Sequence, residues 1–206
     1  GKDLYAANAD GNYIGFMGAT SWEGFYLQEA DGTVWHTAKS GSTATPFFLT
    51  TDAAEGTWDL WFPGQSGCYY TNVNTTKKLW TALWMPKLNV SGIDGGITME
   101  YKRDKNQWQG IFTATGAGTI NIQMNGTGKL YDNTSVSGAD NSIDDTKAKD
   151  TPFAFNGSAN ELTFNTGTNV SAGNITVNVP AAGECTLIID LNDPQAWKVE
   201  VTEGGS

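Results

Sequence analysis

The chain has 206 residues, 39% of them apolar, enough for one large domain or two of about 100 residues each. A net charge of −10, with 12 Lys and Arg against 22 Asp and Glu, argues against nucleic acid, whose phosphates need a basic footprint, and against anionic membrane surfaces. Charged residues are only 17% beside plentiful Gly, Thr, Asn and Trp, and no run approaches the roughly 18 apolar residues of a spanning helix, a balance that suits a secreted or surface β-protein with neutral ligands still open.

No stretch keeps helical periodicity, and short alternating runs bounded by Gly, Asn, Asp and Pro follow one another along the whole chain. The first is "WEGFYLQEADGTVW" (22–35), entered by a Trp and closed by a glycine turn. Then comes "GTWDLWFPGQSGC" (56–68), which reads as a strand, a Pro-Gly turn and the start of the next strand. "LWTALWM" (79–85) follows, and then "GTINIQM" (118–124), "GNITVNVP" (173–180), "CTLIIDL" (185–191) and "AWKVEVT" (196–202). Many short strands with frequent turns predict β-sandwich or barrel domains.

The chain also repeats itself. Trp22-Glu23-Gly24 with Gly32-Thr33 matches Trp108-Gln109-Gly110 with Gly118-Thr119 at an offset of 86; Thr45-Pro46-Phe47 matches Thr151-Pro152-Phe153 at 106; Gly56, Pro63 and Cys68 match Gly173, Pro180 and Cys185 at 117. Blocks that keep their order while the offset grows predict two tandem copies with insertions in the second, over residues 1–90 and 91–206. The insertion around "NTSVSGADNSIDDTKAKD" is polar and acidic and is expected to be a mobile surface loop. Its Asp140, Asp144 and Asp145 are read first as a solvated charge cluster, with calcium binding as the lesser alternative. Cys68 and Cys185 occupy equivalent places in separate domains, so each is expected to be a buried free thiol rather than half of a bridge.

Alternation in the second copy is clean and serves as a ruler. Ile175, Val177, Val179, Leu187, Ile120, Ile122, Met124, Trp197, Val199 and Val201 are predicted to face the core, with Asn178, Thr186 and Asn121 facing water. On that ruler Trp61 falls on Asn178, Tyr69 on Thr186 and Trp35 on Asn121, all outward, while His36 falls on Ile122, inward, and is expected to be a satisfied or half-buried histidine. "LWTALWM" is ambiguous by one residue, and a slip of one swaps the faces. The register that keeps Leu79 and Leu83 in the core turns Trp80 and Trp84 outward; the other buries Trp80. Trp22 and Trp108, at matching strand entries, are read as structural, and Trp58, Phe62 and Tyr70 as core.

Six of the eight tryptophans lie in the first copy. In the outward register, Trp61, Tyr69, Trp80 and Trp84, with Trp35 beside them, form an aromatic platform of the kind that marks a contact surface. Flat aromatic faces suit sugar rings, and Asp59 and Asn72, with Gln65, Asn74 and Lys77, are placed to hydrogen-bond the hydroxyls. The bland alternatives are that this face packs between the domains or is ordinary core. One histidine and two scattered cysteines make no standard zinc site, no cofactor fingerprint is present, and no nucleophile motif accompanies His36.

Three stretches carry a family resemblance. "WEGFYLQEADGTVW" and "WQGIFTATGAGTINIQM" resemble the tryptophan-entry strand and glycine turn of the SusE/SusF-type starch-utilization-system surface lipoproteins of Bacteroidetes. "GECTLIIDLNDPQAWKVEV" is similar to the last hairpin of their C-terminal modules. The resemblance implies tandem immunoglobulin-like β-sandwich domains and non-catalytic binding of oligo- or polysaccharide without cofactor or metal. It implies a place on the extracellular face of the outer membrane, held by a lipid anchor outside this chain, and an outer-membrane glycan transporter as partner. The alternatives to glycan binding are a structural or protein-interaction module and, more remotely, a small glycoside-active enzyme.

Overall fold

The computed structural model of the protein describes residues 2–40, 43–52, 59–138 and 142–205. The fold is all-β, two tandem immunoglobulin-like β-sandwich domains, with a single 3-10 turn as the only helical element among the described residues. The strands are β1 (Asn12–Ala19), β2 (Gly24–Phe25), β3 (Leu27–Gln28), β4 (Val34–Ser40), β5 (Thr43–Thr50), β6 (Leu60–Trp61), β7 (Gly67–Asn74), β8 (Leu79–Met85), β9 (Asn89–Ser91), β10 (Glu100–Lys102), β11 (Gln107–Ala114), β12 (Gly118–Tyr131), β13 (Lys149–Ser158), β14 (Glu161–Thr166), β15 (Ile175–Val179), β16 (Gly183–Asp190) and β17 (Lys198–Glu203).

The chain divides into two compact units, an N-terminal one of Leu4–Trp84 with Lys129–Lys149 and a C-terminal one of Met85–Gly128 with Asp150–Ser206 and the residues before Leu4. The C-terminal unit follows the alternation read from its sequence. The strands β10-β11-β16-β17 form one antiparallel sheet, while β12 pairs with β9 and β15 and has β13 and β14 beyond it. Ile122, Met124, Ile175, Val177, Val179, Leu187, Ile189, Trp197 and Val199 are buried, and Asn121, Thr176 and Asn178 are exposed. Thr186 departs from the ruler. It is buried, and its hydroxyl donates to the Gly204 carbonyl at 2.7 Å.

In the N-terminal unit β7 lies between β1 and β8, and β8 continues to β5 through Phe48 and Leu79 and to β12 through Ala82, Leu83 and Trp84. One core cluster gathers Met17, Ala19, Trp35, Phe47, Leu49, Leu60, Phe62, Tyr69, Val73, Trp80, Ala82, Tyr131 and Ile143. Its centre is aromatic. The Trp80 ring stands 4.7 Å from Phe47, 5.2 Å from Phe25 and 5.9 Å from Phe62, and Phe25 stacks on Phe62 at 4.5 Å. Cys68 and Cys185 are both buried, and neither is in a disulfide.

The division of the chain differs from two contiguous halves. β12 is 14 residues long; its first part belongs to the C-terminal unit, and its last three residues pair with β8 in the N-terminal one. The following insertion, expected as a mobile surface loop, is anchored to the N-terminal unit through its described residues. Ile143 enters the core, Val136 bridges to Ile143, Ser135 is fully buried, and Asp144 caps the turn Asp145–Lys147 by accepting from Thr146. Its polar average hides a few apolar anchors. Asp140 lies outside the described residues, as do Gly56, Thr57 and Trp58. Among the described residues no cluster of His, Cys, Asp and Glu has the makings of a metal site.

Ile143→Ala is expected to cost about 2–5 kcal/mol in denaturant unfolding, the range for a truncated core aliphatic, whereas a solvated loop residue stays within about 0.5 kcal/mol.

Candidate functional site

The platform expected from the second copy does not form. Tyr69 is 0% exposed, Trp80 1% and Trp35 7%. Each has its own cause. Tyr69 alternates with Thr71 and Val73 on the buried face of β7, while Tyr70 and Asn72 on the other face are half-buried, and Thr186, the outward mark it was measured against, is itself buried. Trp80 takes the register in which the indole, not Leu79, fills the core; the aromatic cage of Phe25, Phe47 and Phe62 buries more surface than Leu79 offers. On β4 Trp35 and Thr37 are the buried positions and His36 is half-buried, the opposite parity from Asn121 and Ile122 on β12; the Trp35 indole N–H donates to Glu29 at 3.1 Å. His36 accordingly moves off the inward face.

The remaining predicted site residues are half-buried or exposed. Trp61 is half-buried across from Gly24, and Trp84 is half-buried with its indole N–H donating to the Ser66 carbonyl at 3.1 Å. Asp59 is exposed, with its carbonyl accepting from Thr37, and Asn72 is half-buried opposite Ile14 in β7. Tyr69 and Trp84 both act on the turn 63–67. The Tyr69 hydroxyl donates to the Gln65 carbonyl at 2.6 Å, holding the turn from beneath.

That turn carries the strongest site in the unit, centred on a residue read from sequence as structural. Trp22 is 50% exposed, unlike its repeat partner Trp108 at 3%. The two differ because Trp108 is inside β11, whereas Trp22 precedes β2 with a φ of 60°. A left-handed backbone at a large non-glycine residue costs about 1–3 kcal/mol and is kept where surrounding structure holds it. Here the holding is explicit. The Trp22 N–H donates to the Pro63 carbonyl at 3.0 Å, Ser21 donates to the Ser66 hydroxyl at 3.0 Å, and the Phe62 N–H donates to the Glu23 carbonyl at 2.9 Å.

The indole is seated on Gly64. A Cβ there would stand 2.9 Å from Trp22 Cζ2 and 3.3 Å from Asp145 Oδ2, so only glycine lets ring and carboxylate converge on the turn. Asp145 arrives from the insertion after β12, its other oxygen accepting from the Tyr131 hydroxyl, which the Gln65 side chain also meets. The corner therefore presents a half-exposed indole, a carboxylate and an amide on one rigid turn, all within the N-terminal unit. Tyr26, 62% exposed, follows two residues after Gly24. The signal available in the sequence was the polar turn Thr20-Ser21 before Trp22, where the Thr20 hydroxyl donates to Glu23.

Burial sets the local acid–base behaviour. It is the main cause holding the Tyr69 and Tyr131 phenols well above the ordinary phenol range, with Asp145 adding to both, and burial alone pushes Tyr70 up to about 12. The C-terminal unit has a half-open groove of about 870 Å³ walled by Ile97, Met99, Lys105 and Ile111. It has no aromatic wall, and its Lys102 is paired with Glu100 at 3.0 Å.

The chain belongs to the family described as domain of unknown function DUF5114, whose model matches residues 89–204. A second model, domain of unknown function DUF5111, matches residues 1–85. No curated protein and no solved structure matches the chain. Among the described residues no helix is long and apolar enough to cross a membrane.

Two outcomes follow. Trp22→Gly is expected to be more stable than Trp22→Ala by about 1–2 kcal/mol in urea unfolding, because both lose the ring and only glycine accepts the left-handed backbone freely. Stability is expected to hold up to the ordinary phenol range near pH ~10 and to fall from there toward pH 12, because the unfolded chain releases phenol protons that the buried Tyr69, Tyr70 and Tyr131 keep; pH-dependent unfolding followed by circular dichroism checks it.

Proposed function

We propose that the protein is a non-catalytic carbohydrate-binding protein of a glycan-uptake system, and that the sugar docks on the Trp22 corner rather than on the buried rings. The observation that carries this reading is the half-exposed indole held on a strained backbone above Gly64, with Asp145 beside it. Strain retained at an exposed aromatic is the pattern of a recognition site. An indole face stacks on the C–H face of a pyranose while a carboxylate and an amide accept and donate to its hydroxyls, each stack adding about 1 kcal/mol beyond area burial. The resemblance to SusE/SusF-type surface lipoproteins supports the same reading. It extends it to the outer cell surface, a lipid anchor outside this chain and a transporter as partner.

Affinity electrophoresis through gels carrying a panel of polysaccharides tests the proposal. The wild type is expected to be retarded by at least one of them, and Trp22→Ala to lose roughly tenfold or more in affinity, of the order of one aromatic stack with its hydrogen bonds. Retardation by none, or equal retardation of Trp22→Ala, overturns it in favour of a protein-interaction module, and release of reducing sugar overturns it in favour of an enzyme.

A further inference from the structure

The Trp22 corner is electrostatically one-sided. Asp145 turns Oδ2 toward the point above Gly64 that Trp22 Cζ2 also approaches, while its Oδ1 is occupied by the Tyr131 hydroxyl. Glu23 adjoins Trp22 in sequence and is held by the Thr20 hydroxyl at 3.2 Å. The cations of the same segment are engaged elsewhere. Lys147 donates to the Val136 carbonyl at 2.7 Å, and Lys149 pairs with Asp132 at 3.2 Å. The whole chain carries −10. An electron-rich indole beside a carboxylate is the combination that attracts an ammonium group, through the ring quadrupole and through charge together. A uronate or sulfate placed there meets the like charge of Asp145.

Resting on the carbohydrate reading above, we propose that the corner selects sugars bearing a protonated amine, taking a glucosamine-type ring in preference to its neutral N-acetylated form and rejecting acidic glycans. Asp145 is then the specificity residue, and Tyr131 a positioning residue that fixes the carboxylate. Trp22 supplies the surface common to every ligand.

Titration of the full chain with a glucosamine hexamer, its N-acetylated counterpart and a galacturonate hexamer tests this, at low salt and at a pH where the amine is protonated. The glucosamine hexamer is expected to bind at least tenfold tighter than the N-acetylated one, with no binding of the galacturonate. Asp145→Asn is expected to shrink that preference below threefold, Asp145→Glu to retain it, and Trp22→Ala to weaken both neutral and cationic ligands. A preference that survives in Asp145→Asn reports the general negative charge of the chain and overturns the proposal. So does equal or tighter binding of the N-acetylated hexamer, and in both cases the carbohydrate reading stands as long as Trp22→Ala still loses binding. If none of the three hexamers binds, the amine preference is overturned; the carbohydrate reading falls only if the polysaccharide panel fails as well.

Discussion

Much of the N-terminal unit depends on one packing event, the insertion of Trp80 between Phe25, Phe47 and Phe62. It fixes the parity of β8, so that Ala82 faces the same core and Trp84 reaches its rim. From there the Trp84 indole anchors Ser66 and Tyr69 anchors Gln65, and the turn between Pro63 and Gly67 becomes a rigid seat. Phe47 reaches Trp80 from a backbone with φ of 73°, a strain kept inside the core because the ring contact and the burial outweigh it. The Trp80 indole N–H has no hydrogen-bond partner, which marks its place as one chosen by shape and apolar area rather than by polarity.

The two family models split the chain near residues 85–89, whereas the compact units share it differently. The segment 129–149 is embraced by the second model, yet its Tyr131 and Ile143 complete the core of the first unit and its Asp145 completes the Trp22 corner. The N-terminal sandwich is therefore not a self-contained sequence module. Its exposed indole and the carboxylate beside it come from stretches more than 100 residues apart, brought together by the last three residues of β12 pairing on β8.

Strand content, tandem organisation and the inward faces of β12, β15 and β17 were legible because those strands alternate cleanly and one face of each is wet. The ruler fails where its own mark is misread, as at Thr186 in β16, which is buried with its hydroxyl on the Gly204 carbonyl, and where the parity of the two copies differs, as at Trp35 in β4. Trp22 escaped notice because repetition with Trp108 suggested one shared role. A single left-handed residue sends the first indole to solvent while the second stays in its strand. Nothing local in the sequence announces that a polar insertion will dock through Ile143 and deliver Asp145.

The packing of the N-terminal unit decides which indoles meet water. Oxidative footprinting of the native protein, with each tryptophan read by mass spectrometry, measures this directly. Fast labelling of Trp22, with Trp35, Trp80, Trp108 and Trp197 labelled only after unfolding, is the expected result. Labelling of Trp80 or Trp35 at the rate of Trp22 in the folded protein contradicts it.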